Sequence, residues 1–144
     1  MTSMKNMQGH EYSRRVYYYD TDAGGVVYHG NYFHFCEEAR TEIFLKIMKM
    51  PLTDFIKEAG CAWVITKSHA EYKRPIMNQE VFVVKTYIED AGYLRTKYRH
   101  EIMVGDTLCA VIKLECVSIS TVTGRPVKMP SSIVDAYKEA FEFN

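Results

Sequence analysis

The chain has 144 residues, a length that usually corresponds to one domain. Hydrophobic residues make up 47% and charged residues 25% of it, a composition that excludes a disordered chain. Eighteen basic residues balance eighteen acidic ones, so the positive excess typical of nucleic-acid-binding proteins is missing. No apolar run is long enough to span a membrane, and no secretory signal is recognisable. We therefore expect a single cytoplasmic domain over residues 1–144.

The four cysteines are scattered and form no C-x-x-C pair. They are Cys36, Cys61, Cys109 and Cys116. A chain of this size does not need disulfides to be stable, so we expect buried thiols in a reducing compartment.

The first half of the chain predicts a strand and a long helix. Residues 1–11 are polar and Met-rich, and we expect them to be flexible. The β-branched and aromatic run 14–19 predicts a strand, which the turn residues 20–25 end. Apolar residues then recur at helical spacing over 31–48. Because the first turns of this helix are apolar almost all round, we expect other elements to enclose it.

The second half is dominated by strands. A short helix over 52–59 is followed by alternating apolar residues, which predict long strands. These strands cover residues 62–74, 80–89, 93–104 and 107–120. Ser132 and Asp135 are typical of a capping box that starts a C-terminal helix. We predict an α+β fold in which the long strands form one antiparallel meander with the helices on one face. Its exposed edges favour self-association.

The segment before the long helix carries the residues best suited to chemistry. Asp20, Asp22 and His29 lie within ten residues there, interrupted by Gly24 and Gly25. The first turn of a helix has unpaired N–H groups and partial positive charge, which can hold a developing oxyanion. A carboxylate directed at the same place could attack a carbonyl or activate water. Motifs for serine-hydrolase elbows, P-loops, dinucleotide sites and zincins are absent from the sequence.

Each of these residues also has an ordinary structural interpretation. Asp-x-Asp before two glycines is a common Asx-turn signal, a lone His is more often structural, and Tyr18 suits a strand core. A metal site of Asp20, Asp22 and His29 is another alternative, although no cysteine lies nearby in sequence.

A longer motif favours the catalytic interpretation. Residues 20–29 read Asp-Thr-Asp-Ala-Gly-Gly-Val-Val-Tyr-His, followed by Asn31-Tyr32 and, over 38–42, Glu-Ala-Arg-Thr-Glu. This run closely resembles the hotdog-fold acyl-CoA thioesterases of the 4-hydroxybenzoyl-CoA thioesterase superfamily, in the YbgC-like branch associated with the Tol-Pal system. Glu71-Tyr72, Pro75 and residues 130–134 extend the resemblance over the rest of the chain. It implies a hotdog fold, in which a five- to six-stranded antiparallel sheet wraps a long central helix.

The resemblance also implies roles for individual residues. Asp22 corresponds to the catalytic carboxylate of the family, acting as nucleophile or as general base. His29 corresponds to the active-site histidine, with its backbone N–H facing the thioester oxygen, and Tyr18 corresponds to a tyrosine linked to the site. Asp20 is interpreted as shaping the turn. Tyr19 departs from the pattern, because this branch often has Glu there.

Other residues of the motif are expected to bind or support. Glu38 and Arg40 are interpreted as a structural pair or network on the helix. Candidate substrate contacts are Tyr28, Gly30, Lys73, Arg74, Arg95 and Arg99. For the basic residues among them, which could meet the phosphates of coenzyme A, a solvated sheet face is an equally good interpretation. Aromatic residues that could line an acyl tunnel or fill the core are Tyr32, Phe33, Phe35 and Trp63.

The implied function is hydrolysis of acyl-CoA to free acid and coenzyme A. The substrate carrier could be coenzyme A or acyl carrier protein, and no metal or other cofactor is required. The resemblance implies a homodimer or homotetramer with the acyl site at the dimer interface, without nucleic-acid partners. Two alternatives stay open: a hotdog dehydratase or hydratase, and a non-catalytic scaffold near an envelope or lipid-synthesis complex.

Overall fold

Three helices lie on a five-stranded antiparallel sheet in a computed structural model that describes residues 9–141. The strands are β1 His10–Arg15, β2 Cys61–Tyr72, β3 Val81–Ala91, β4 Arg95–Val104 and β5 Thr107–Ser120. The helices are α1 Asn31–Met48, α2 Leu52–Ala59 and α3 Ser131–Phe141. The predicted α+β class is confirmed. Within residues 9–141, no helix is both long and apolar enough to cross a membrane.

The order of the strands differs from the predicted meander. The sheet runs β1-β3-β4-β5-β2, so β2 pairs with β5 and not with its successor β3. Only β3, β4 and β5 are joined by hairpins to their neighbours. The connection 73–80 carries the chain across, and it is held where the N–H groups of Lys73 and Arg74 both donate to the Cys109 carbonyl. Alternating hydrophobicity predicts strands but does not specify which strands pair.

Helix α1 lies across the inner face of this sheet. Its buried residues are Tyr32, Phe35, Cys36, Ala39, Ile43 and Phe44. The ring of Phe35 packs against Phe82 of β3, with centroids 4.5 Å apart. Helices α2 and α3 also contact α1, whereas His34, Glu37 and Lys46 are exposed, so one chain encloses the helix only in part. The helix ends at Lys49, which adopts the left-handed conformation with φ 54°.

The first strand was predicted too late in the chain. It covers His10–Arg15, and residues 18–20 form a single 3-10 turn instead of a strand end. Residues 10 and 11, which we expected to be flexible, therefore belong to the sheet, whereas residues 1–8 lie outside the described part. The strand consists mostly of polar residues, so β-propensity does not reveal it. The aromatic run that suggested a strand is exposed on the surface.

The structure also tests the predictions for the C-terminal helix and for the cysteines. Helix α3 begins at Ser131, so Ser132 lies inside its first turn and does not form the predicted capping box. Its predicted core residues Val134, Tyr137 and Phe141 are buried. The four cysteines are free and buried, as expected.

Polar side chains form a row across the inner face of the sheet. His10, Thr86 and His100 are cross-strand neighbours on β1, β3 and β4, and all three are buried. The Thr86 hydroxyl lies 2.8 Å from Nδ1 of His100. Neither ring nitrogen of His10 has a hydrogen-bond partner within residues 9–141. Burial, assisted by the charge of Lys46, lowers the pKa of His10 to about 4.

We predict that His10→Leu stabilises the fold and reduces its acid sensitivity. An unfolded histidine binds a proton below its ordinary pKa of 6.5, whereas the buried His10 stays neutral down to about 4. Stability is therefore complete above pH 6.5 and falls as the pH drops toward 4. Removing an unpartnered buried polar ring should add about 1–2 kcal/mol to the free energy of unfolding at neutral pH.

Urea denaturation at pH 7.5 and 5.0 checks this prediction. The wild type should lose more stability between the two pH values than His10→Leu does. The exposed His34→Gln variant serves as the matched control and should behave like the wild type. Equal pH dependence in wild type and His10→Leu would contradict the prediction.

Candidate active site

A buried ion pair anchors the segment that precedes α1. Asp20 is 4% exposed, and its two carboxylate oxygens accept hydrogen bonds from the guanidinium of Arg14 at 2.6 and 3.1 Å. The Tyr17 N–H donates to the same carboxylate at 2.8 Å. Burial alone would raise the pKa of Asp20, but Arg14 and the Tyr17 N–H outweigh it and lower the pKa. Asp20 thus has the turn-shaping position expected from the sequence.

Arg14 extends this anchor to the long helix. Its Nε lies 3.1 Å from Oε1 of Glu38, which also accepts a hydrogen bond of 2.8 Å from the Tyr12 hydroxyl. The guanidinium of Arg14 lies over the ring of Phe35, 4.7 Å from its centroid. Glu38 therefore connects α1 to β1. The suggested pairing of Glu38 with Arg40 is wrong, because Arg40 contacts His100 on β4 instead.

Asp22 opens a tight turn at the tip of the segment. The Asp22 carbonyl accepts a hydrogen bond from the Gly25 N–H at 3.0 Å, and Oδ1 of Asp22 accepts one from the Gly24 N–H at 2.8 Å. Gly25 has φ 79°, a conformation that a residue with a side chain rarely adopts. Asp22 is exposed, and within residues 9–141 its second oxygen, Oδ2, accepts no hydrogen bond. The turn therefore fixes the carboxylate while leaving one oxygen available.

The base of this turn is attached on two sides. The Val27 N–H donates to the Ile76 carbonyl at 2.8 Å, in the connection between β2 and β3. The Asp20 carbonyl accepts two hydrogen bonds, from the Tyr28 N–H at 3.0 Å and from the Asn31 side chain at 2.8 Å. The carboxylate turn is thereby held in a fixed relation to the start of α1.

His29 and Gly30 lead into the first turn of α1. Within the described chain, neither of their backbone N–H groups has an acceptor. The His29 carbonyl accepts a hydrogen bond of 3.2 Å from the Tyr72 hydroxyl. The centroid of the His29 ring lies 4.6 Å from that of the Tyr28 ring. A Cβ on Gly30 would come within 2.7 Å of the Tyr28 ring, so only glycine permits this packing. Free N–H groups at the positive end of a helix suit a developing oxyanion.

Tyr18 does not join this arrangement within one chain. Its side chain is 82% exposed, so the alternative of a strand-core residue is wrong. Its carbonyl accepts hydrogen bonds from both the N–H and the hydroxyl of Thr21, which places its backbone at the foot of the Asp22 turn.

The basic candidates fall into two groups. Lys73 and Arg74 follow Tyr72 directly and are exposed near the site. Arg95 and Arg99 lie on the outer face of β4, where Arg95 pairs with Glu115 at 2.9 Å. Arg99 forms ion pairs with Glu89 at 3.8 Å and Glu101 at 3.3 Å.

Their positions along the sheet separate these groups further. Tyr72 of β2 pairs with Ala110 of β5, and Ala110 pairs in turn with Ile102 of β4. Ile102 lies seven residues along β4 from Arg95. Seven residues of strand correspond to roughly 23 Å. Within one chain, Arg95 therefore occupies a solvated sheet face far from His29.

The metal alternative loses one of its ligands. Both oxygens of Asp20 are engaged by Arg14, so Asp20 is not available beside Asp22 and His29.

The aromatic candidates lie in two different places. Tyr32 and Phe35 belong to the core, whereas Trp63 is partly buried at the wall of a cavity described below.

The sequence pattern gave no role to two residues that shape the site. Tyr72 holds the His29 carbonyl from a distance of 43 residues along the chain, and the Asn31 side chain caps the Asp20 carbonyl. The Tyr72 contact depends on how distant segments meet, and the Asn31 contact depends on how the loop between Asp20 and Asn31 folds back, so neither produces a recognisable sequence signal.

Comparison with known proteins identifies the family of this chain. The model of the thioesterase-like superfamily matches residues 16–137, most of the chain. The chain belongs to this superfamily. An acyl-CoA thioesterase YbgC of Haemophilus influenzae is 30% identical over 131 residues, covering 90% of this chain and 94% of that protein. A YbgC acyl-CoA thioester hydrolase of Escherichia coli is 32% identical over 126 residues, covering 87% and 92%.

Solved structures of the superfamily share the fold. The DHNA-CoA thioesterase of Staphylococcus aureus superposes with a TM-score of 0.81 at 28% identity, covering 94% of this chain and 90% of that one. The resemblance seen in the motif and the predicted hotdog fold are both confirmed. Like its relatives, this member of the superfamily is a thioesterase-type enzyme.

We predict that the two neighbouring aspartates affect stability very differently. Asp20→Asn should lower the free energy of unfolding by about 3 kcal/mol, because it leaves the largely shielded Arg14 guanidinium without its main counter-charge. Asp22→Asn should change it by less than about 0.5 kcal/mol, since Asp22 is exposed and Asn can still accept the Gly24 hydrogen bond. Chemical denaturation of both variants checks this. Similar losses in the two variants would contradict it.

Proposed function

We propose that this protein hydrolyses acyl-CoA thioesters to free acid and coenzyme A, with Asp22 as its catalytic carboxylate. The observation that carries the proposal is that one short segment holds an exposed, fixed Asp22 carboxylate and the N–H groups of His29 and Gly30, which have no acceptor within residues 9–141. The printed activities of the YbgC relatives and of the DHNA-CoA thioesterase support a coenzyme A thioester as the substrate.

The chemistry follows from the opposite charges of the two parts of the site, the negative Asp22 carboxylate and the positive start of α1. The helix N-terminus attracts the thioester oxygen, and its N–H groups stabilise the negative charge that forms there. Asp22 either removes a proton from water, which attacks the carbonyl carbon, or attacks that carbon itself to give an anhydride that water then opens. In both routes the C–S bond breaks and the thiolate of coenzyme A accepts a proton. A thiolate leaves readily, so the route needs neither a metal nor another cofactor.

The remaining residues of the site take supporting roles. His29 contributes its backbone N–H, and its ring, next to Tyr28, is available to position water or substrate. Gly30 leaves room for the Tyr28 ring beside the reacting carbonyl. Lys73 and Arg74 are exposed and follow Tyr72, which contacts the His29 carbonyl, and they supply the positive charge for the phosphates of coenzyme A or of an acyl-carrier-protein arm. Tyr18 is an exposed residue whose hydroxyl can reach a substrate or a partner subunit.

We further propose that the enzyme works in the cytoplasm as a homodimer, or as a homotetramer of such dimers. Strand β2 is twelve residues long and, within residues 9–141, pairs only on its β5 side. Val64 and Ile65 are exposed on it, 39% and 51% respectively. A long strand edge with exposed apolar side chains and an unpaired side is prone to further pairing, and a second copy of the same strand satisfies it.

We predict that Asp22→Asn lowers kcat/KM for acyl-CoA hydrolysis at least about 100-fold. The amide keeps the turn but can neither attack a carbonyl nor deprotonate water. Release of free thiol from butyryl-, palmitoyl- and benzoyl-CoA, and from an acyl carrier protein thioester, measures the effect and the acyl class together. The matched control is Asp54→Asn on α2, which should retain wild-type turnover. Activity of Asp22→Asn within fivefold of wild type would exclude the assignment.

Val64→Lys should weaken the dimer at least about tenfold, because it places a charge in the edge of β2. Val122→Lys makes the same substitution at a more exposed valine outside the strands and is the control. Sedimentation equilibrium measures both. The wild type should have twice the 16.7 kDa mass of one chain, or four times that mass. A wild-type monomer, or an unaffected Val64→Lys dimer, would refute the proposed edge interface.

A further inference from the structure

A cavity lies beside α1, away from the Asp22 turn. It encloses about 210 Å³ between α1, α2 and the first residues of β2, and it opens to solvent on one side. Phe44, Leu52, Ile56 and Trp63 give it apolar walls. The rings of Phe44 and Phe55 pack edge-on against each other, and Phe55 stacks on Trp63 at 5.9 Å, so these walls are firmly supported.

Arg40 is the basic residue that lines this apolar space within residues 9–141. Arg40 lines the cavity and is half-buried, and it forms no ion pair with any carboxylate of the described chain. Its Nη1 lies 3.1 Å from Nε2 of His100, and its guanidinium lies over the Tyr98 ring at 5.7 Å. Only one of its five N–H groups has a partner in these contacts. A half-buried charge without a counter-ion is costly, so an anion that enters the cavity would be stabilised there.

The buried histidine behind Arg40 fixes its orientation. Burial lowers the pKa of His100 well below 6.5, with the positive charge of Arg40 adding to the effect, so the ring is neutral. A guanidinium can only donate, which makes Nε2 of His100 the acceptor. Nδ1 then carries the proton and donates to the Thr86 hydroxyl at 2.8 Å. The Arg40 fork is therefore held from the sheet, with its remaining donors left for a ligand.

We propose that this cavity binds an apolar carboxylate, with its head group paired to Arg40 and its chain or ring against Phe44 and Trp63. The planar guanidinium matches a carboxylate in two-point geometry. Glu37 also lines the cavity, but it is exposed, and no basic group of residues 9–141 pairs with it. The ligand head is thus drawn to the deeper Arg40 and repelled from the rim.

Two sources could supply such a carboxylate. One is a free acid, the product class of thioester hydrolysis. The other is the far end of a dicarboxylic acyl group, and this second source rests on the function proposed above. Arg40 is nine residues beyond Asn31, about 14 Å along α1 from its first turn. A medium-length acyl chain that starts at the N–H groups of His29 and Gly30 could span that distance.

The sole tryptophan makes the first test direct, since Trp63 lines the cavity. Octanoate and 1-octanol are titrated against wild type and Arg40→Met while the fluorescence of Trp63 is followed. We expect saturable octanoate binding by the wild type, at least tenfold weaker binding by Arg40→Met, and octanol affinities within about threefold of each other. Asp22→Asn should bind octanoate like the wild type, because it leaves this cavity unchanged.

Further variants guard against loss of structure. Arg40→Lys keeps the charge and should retain part of the octanoate affinity, provided its circular dichroism matches the wild type. Ala62→Leu fills the cavity and should weaken octanoate and octanol alike. Absence of saturable octanoate binding by the wild type, or equal octanoate affinity in wild type and a folded Arg40→Met, would overturn the proposal.

A kinetic comparison then distinguishes the two sources. Octanedioyl-CoA and octanoyl-CoA are hydrolysed by wild type and Arg40→Met. If the far end of the acyl group is the ligand, Arg40→Met should raise KM at least tenfold for octanedioyl-CoA only. If free acid is the ligand, the two KM values should change equally, and octanoate should alter wild-type turnover but not that of Arg40→Met. The binding titration stands without any turnover, so failure of the thioesterase proposal remains a separate result.

Discussion

The bidentate contact between Arg14 and Asp20 is the interaction on which the site depends. Arg14 comes from the sheet, Asp20 from the loop, and Glu38, which also contacts Arg14, from the long helix. One guanidinium therefore joins the three elements that position the candidate site. Because this pair is mostly shielded from water, breaking it would leave a charge that the surroundings cannot solvate.

Two aspartates separated by one residue illustrate how environment assigns function. Asp20 has both oxygens occupied and is buried, so its charge is fully used in holding the loop. Asp22 has one oxygen tied to the Gly24 N–H and the other available on the surface. The same side chain is thus structural at one position and suited to catalysis at the next but one. The sequence-level distinction between them came from the family motif, and the hydrogen bonds now give it a physical reason.

The parts of the fold that follow local periodicity could be predicted, and those that need long-range pairing could not. Helix α1 and strand β5 have the predicted bounds, because their apolar spacing extends over many residues. Strand β1 was misplaced, since it is polar and owes its existence to pairing with β3. The pairing of β2 with β5 was not predicted, because an alternating hydrophobic pattern does not specify which strand pairs with it.

In the site, the same division holds. The Asp22 turn and the start of α1 can be predicted from residues that are adjacent in the sequence. The contact of Tyr72 with the His29 carbonyl and that of Arg40 with His100 join residues 43 and 60 positions apart. A charged residue in a helical motif suggested a pairing within the helix, but the sheet beneath offered a buried acceptor. Such contacts can be recognised only after the strands have been ordered.

The Asp20 carbonyl accepts hydrogen bonds from both the Tyr28 N–H and the Asn31 side chain. These two bonds affect how tightly the site can hold a reacting molecule. They close the segment 20–31 into a ring, so the chain there has already lost most of its conformational freedom when the protein folds. A molecule that arrives at the helix start does not have to order this backbone. The entropic cost of arranging the donors is met during folding, and more of the interaction energy is left to lower the reaction barrier.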